Sequence, residues 1–167
     1  MSGKASWILK KQREYKEITS EIIKPTFEEG STLPYLGKNY PIKILRDQSE
    51  YTIKFLDGKF TVGIKSLAHT NNLQTIIRKL YEDWLMEKAE SIFRQKVRHY
   101  SKKLGLLVRR VIVKRLRNRW GSMTKEGRIN LNVNLLKAPN DVIDYIILHE
   151  ICHLKGSLAQ QRRYKPF

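Results

Sequence analysis

The chain has 167 residues, with 33 Lys and Arg against 16 Asp and Glu, a formal charge of +17 and a pI near 10.1. Its 41% hydrophobic and 10% aromatic content supplies a core and excludes a disordered basic tail, while the length excludes two large domains. No apolar run approaches the ~20 residues that span a bilayer, and Met1 to Lys11 lacks the apolar core of a signal peptide, so the expectation is a soluble cytoplasmic protein without a membrane partner.

Residues from Ala5 to Ile23 read as a helix, with Trp7, Ile8, Tyr15, Ile18 and Ile22 at helical spacing and Pro25 ending the pattern. Strand character follows. Leu33 to Tyr40 reads as a short strand and a turn running into Ile42–Leu45, and Asp57-Gly58 joins Tyr51–Leu56 to Phe60–Ile64 as a hairpin. These predict a small antiparallel sheet. A long helix then starts near Asn71 or Asn72 and stops before Gly105, which suits the left-handed position after a helix end. Leu73, Ile77, Tyr81, Trp84, Phe93 and Val97 are among the residues of its apolar stripe.

Leu106 to Lys114 reads as a strand, and Ile129 to Leu135 alternates apolar residues with Asn at strict period two. Trp120-Gly121-Ser122 precedes a turn at Lys125-Glu126-Gly127; Trp120 reads as structural, Gly121 as permitting a tight backbone and Ser122 as a local hydrogen-bonding group. The last element is a helix opening at Ala138-Pro139-Asn140-Asp141, with Pro in the first turn and Asp141 and Asp144 near the positive end of the helix dipole. It is apolar on nearly every side, which predicts a buried helix.

That helix carries His149-Glu150-Ile151-Cys152-His153. Histidines four apart share one face, so two imidazole nitrogens can reach one Zn2+ ion, and Glu150 can serve as the general base toward water. The competing reading makes His149 and His153 core histidines held by backbone or carboxylate groups. Cys152 reads as a small core residue, not a nucleophile, and as the single cysteine it leaves any metal to His or carboxylate. His69 and His99, the other two imidazoles, lack ligand spacing and read as surface or structural residues, and Glu126 as a solvated turn residue.

The residues Arg119-Trp120-Gly121-Ser122, Ile129-Asn130-Leu131-Asn132, Ala138-Pro139, Val142-Ile143-Asp144-Tyr145 and His149 to Lys155 closely resemble the YgjP-like metal-dependent hydrolases, which are SprT-like zinc metallopeptidases of the gluzincin type. The resemblance extends upstream through Leu104-Gly105-Leu106 and Tyr35 to Tyr40 as far as Trp7-Ile8. It implies a zincin-like α+β fold, with long helices and the motif helix packed on an antiparallel sheet, and with the Asn-rich strand at the rim of a cleft for a peptide or protein substrate. Residues 1–70 then form an N-terminal helix and small sheet, and 71–167 the metallopeptidase-like part, within one compact unit. Family members carry a third histidine six residues after the second; here that position is Ala159, and Met123 stands where a Cys is usual. The chain reads as a member shortened at both ends, its metal site two-ligand and its activity impaired or lost.

A second reading comes from the charge. No acidic residue lies between Glu90 and Glu126, and that stretch holds twelve Lys and Arg, from Arg94 to Lys125. Such a run fits either a nucleic-acid contact or the solvated faces of amphipathic elements. The aromatic residues that would stack bases are few, Tyr100 and Trp120.

Overall fold

A computed structural model describes residues 25–66 and 72–163, with 155–163 as helix backbone alone. The helix expected over residues 5–23 lies outside the described residues, as do His69 and Asn71. The chain divides into two compact units between Leu80 and Tyr81.

The first unit holds a four-stranded sheet of β1 (Thr32–Tyr35), β2 (Lys38–Leu45), β3 (Thr52–Leu56) and β4 (Lys59–Gly63), in the order β1-β2-β4-β3. Its hairpins form where the sequence signals them. Asp57 and Gly58 both take positive φ, 50° and 68°, as do Leu36 and Gly37, so each two-residue turn matches the right-handed twist of its strands. The expected antiparallel sheet contains one parallel pair, β2 with β4, in which Ile42 stands opposite Phe60 and Leu45 opposite Gly63. Burial accounts for that order. Phe60, Val62 and Gly63 of β4 are buried, so β4 takes the centre, whereas β3 has no fully buried residue and takes the edge.

Helix α1 (Leu73–Leu104) begins after Asn72 and buries the expected stripe, including Ile77, Tyr81, Trp84, Phe93 and Val97. It stops by a double backbone closure. Gly105 N–H donates to the Lys102 carbonyl at 3.3 Å and Leu106 N–H to the Ser101 carbonyl at 3.0 Å, with Gly105 at φ 64°.

The second unit contains a sheet ordered β5-β7-β6, from β5 (Arg110–Lys114), β6 (Gly121–Met123) and β7 (Arg128–Asn132). Only the β6–β7 hairpin is antiparallel; β5 runs parallel to β7. Two expected strands are shorter than their patterns. Leu106 to Arg109 is a connector, because the helix closure takes the Leu106 amide and Gly127 O takes the Arg109 amide at 2.8 Å. The Asn alternation ends at Asn132, after which Val133–Lys137 is a 3-10 turn.

Asn132 ends the strand itself. Its Oδ1 accepts the Asn134 amide at 3.1 Å, and its Nδ2 donates to the carbonyls of Leu116 at 2.8 Å and Arg119 at 3.1 Å. The alternating Asn residues therefore do not mark a solvated face. Asn130 and Asn132 are both buried, and Asn130 Nδ2 donates to Ser122 Oγ across the hairpin at 3.1 Å. Replacing Asn132 by Ala leaves two carbonyls and one amide without their partner in a partly buried setting, and urea unfolding is expected to show a loss of about 1–3 kcal/mol.

Candidate metal centre

Helix α2 (Asn140–Arg163) starts where Pro139 and Asn140 direct it, with the Val142 and Ile143 amides both donating to the Pro139 carbonyl at 3.1 Å. Ile143, Ile147, Ile151 and Leu154 recur at helical spacing and are all buried. The face bearing His149, Cys152 and His153 is exposed. The expectation of a helix buried on every side is thus corrected, and so is the assignment of Cys152 to the core. Val142, Ile146 and Leu148 are only partly covered, which leaves the motif face open. Near its N-terminus the helix is tied to α1. Lys96 Nζ lies 2.6 Å from Asp144 Oδ1, and the Tyr100 hydroxyl hydrogen-bonds the same carboxylate.

The two motif histidines converge. His149 Nε2 and His153 Nε2 stand 3.2 Å apart, with the rings nearly perpendicular at 86°. Two nitrogens held ~2.0–2.1 Å from one tetrahedral ion are separated by about 3.3 Å, so the pair fits two positions of a zinc coordination sphere. No third His, Cys, Asp or Glu joins them among the described residues. His99 is exposed, its ring 5.0 Å from that of Tyr100, and Glu126 is exposed in its turn.

Glu150 points elsewhere on the helix, toward β6, and is half-buried. The β6–β7 hairpin explains what it meets there. The Asn132 amide bonds the Trp120 carbonyl and the Thr124 amide bonds the Arg128 carbonyl, so residues 120, 122 and 124 turn their backbone groups toward β7. Gly121 and Met123 face the opposite way, along the free edge of β6. The Met123 amide donates to the Glu150 carboxylate. At Gly121 a Cβ would come within 2.9 Å of Glu150 Cγ and 3.3 Å of the Asn130 carbonyl oxygen, so only glycine admits the carboxylate at this depth.

Burial raises the Glu150 pKa above the ordinary carboxylate value, opposed by His149, His153, the Met123 amide and Arg119. Two of these neighbours escaped the sequence reading. Arg119 belongs to the Arg119–Ser122 segment and to the basic run, neither of which pairs it with Glu150, and nothing in a sequence assigns the Met123 amide to a carboxylate 27 positions further along the chain. The tight backbone at Gly121 was legible, though not what passes against it.

This geometry predicts that Gly121→Ala displaces the Glu150 side chain from the Met123 amide. Hydrogen exchange at Met123 is expected to quicken about tenfold or more in Gly121→Ala and equally in Glu150→Ala, with exchange at the β7 amides unchanged in both.

Comparison with protein-family models matches residues 1–158 to the description "YgjP-like, metallopeptidase domain". Comparison with curated proteins and with solved structures gives no match.

Proposed function

The chain belongs to the YgjP-like metallopeptidase family, and from that premise we propose that it hydrolyses peptide bonds in a polypeptide substrate, with His149 and His153 as metal ligands, zinc as the metal and Glu150 as general base. The observation that carries this reading is the 3.2 Å approach of the two Nε2 atoms beside a half-buried carboxylate. Two neutral imidazoles placed this way have one shared hydrogen bond between them when no cation is present, and two lone pairs for an ion when one is. Zinc held there would supply Lewis acidity toward the peptide carbonyl and toward water.

The rest is the work of this chain's own side chains. Glu150 takes a proton from the attacking water at its carboxylate oxygen and returns it to the leaving amine. Partial burial favours the protonated form, which strengthens Glu150 as a base, while the Met123 amide and the neighbouring cations keep the ionised form accessible. Gly121 lets the carboxylate sit against the backbone, and the Met123 amide restricts its rotation. The Lys96–Asp144 ion pair and the Tyr100 hydroxyl hold the helix one to two turns before His149. The exposed histidine face leaves room for an extended substrate.

Catalytic zinc sites have three protein ligands as a rule. With two histidines alone the ion is bound weakly, which makes metal binding the first measurement. Zinc titrated calorimetrically into the metal-free chain is expected to fill one weak site per chain, and His149→Ala and His153→Ala to abolish that binding; no binding by the unaltered chain overturns the assignment. Glu150→Gln is expected to keep the metal while hydrolysis of an unfolded protein falls by ~10²–10⁴-fold. Loss of metal in that variant would instead make Glu150 a ligand.

A further inference from the structure

The twelve cations between Glu90 and Glu126 sort into groups once their positions are known. Lys96 is paired with Asp144, Arg115 with Glu82 at 2.8 Å, and Arg119 lies in the field of Glu150. Five others, Arg94, Arg98, Lys102, Arg109 and Arg110, line a single groove of about 580 Å³ in the second unit, between the C-terminal part of α1 and the connector into β5. All five are exposed, no acidic residue lines the groove, and no ion pair reaches any of them among the described residues.

The groove is built, not incidental. Arg94, Arg98 and Lys102 stand four residues apart on one helical face, hence about 6 Å apart in a row about 12 Å long. The opposite wall is fixed by the Gly105 closure and by the Arg109 and Arg110 amides, which both donate to the Gly127 carbonyl at 2.8 and 3.3 Å. Gly127, at φ 85°, passes so close that a Cβ would lie 3.2 Å from the Leu107 carbonyl oxygen and 3.3 Å from Arg109 Cγ. The helix thus contributes three of the cations and the connector into β5 the other two, around a floor that includes Val97, Leu106, Val108 and Val111. The Ser101 hydroxyl, also in the lining, has no hydrogen-bond partner among the described residues.

Five like charges around one concavity with no acidic side chain in its lining create a local positive field that attracts an anionic occupant. We propose that this groove binds the phosphate backbone of double-stranded nucleic acid. Four of the five cations are Arg, whose planar fork matches a phosphate bidentately, and their regular spacing suits an anion that repeats along a rod. No aromatic side chain lines the groove, so it lacks the stacking platform that single strands require. With all five cations directed to phosphates, the contact carries no sequence information.

Binding is measured by fluorescence anisotropy of a labelled duplex of about 20 base pairs, with the full chain, across a salt series. Five phosphate contacts give a slope of about −4.5 in log K against log salt, or about a 20-fold loss on going from ~50 to ~100 mM. The variant Arg98→Gln/Arg110→Gln is expected to lower the slope by about 1.8 and to weaken binding at ~50 mM salt about tenfold or more. The variant Lys43→Gln/Lys54→Gln, which removes two exposed cations from the other unit, controls for net charge and is expected to leave the slope unchanged. Any of four results overturns the proposal: no duplex binding at ~50 mM salt, an unchanged slope in the groove variant, an equal loss in the control variant, or preference for a single strand, polyglutamate or anionic vesicles at equal charge. Thermal unfolding of both variants, expected to match the unaltered chain because all four side chains are exposed, separates lost contacts from lost fold.

Discussion

The site depends on a carboxylate being seated against the edge of a strand. Glu150 can occupy that position because Gly121 has no Cβ and because the Met123 amide, turned away from β7 by the hairpin's pairing, needs an acceptor. An unpaired strand edge normally leaves amides to water or to another chain. Here one of them is used to orient the group that the proposed chemistry needs. A single interaction thus satisfies the backbone, closes part of the edge and holds the carboxylate while the histidines on the same helix remain open to solvent.

The neighbouring structure maintains that arrangement. Asn132 sets where β7 ends and, through the Leu116 and Arg119 carbonyls, holds the loop that delivers Trp120 and Gly121 to the hairpin. Asn130 pins Ser122 at the facing position. The isoleucines at 143, 147 and 151 then fix the rotation of α2, so that His149 and His153 come out on the exposed side with their Nε2 atoms together. Apolar burial sets the helix orientation, and a few buried amides set the strand; the candidate site lies where the two meet.

Charge follows a different logic from chemistry in this chain. The excess of +17 is conspicuous in composition, whereas the residues proposed to act on a peptide bond number three. Position divides the basic run. Two members pair with Asp144 and Glu82, Arg119 lies in the field of Glu150, and five others line a groove with no acidic residue in its lining. Composition cannot separate these groups, because pairing depends on which acidic residue is near in space.

Local patterns were enough for the elements themselves. The Asp57-Gly58 turn, the Gly105 stop, the apolar stripe of α1, the Pro139-Asn140 start and the i, i+4 histidines are each decided by a few adjacent residues, through positive φ, helix periodicity or side-chain reach. The family is legible for the same reason, since its motifs are short and contiguous. Tertiary structure decided the parallel pairs β2–β4 and β5–β7, the end of the Asn-rich strand at Asn132, the exposure of Cys152 and the histidines, and the seating of Glu150 on β6. Each of these depends on a partner distant in the chain, and an alternating or apolar pattern specifies that a side chain is covered without specifying by what.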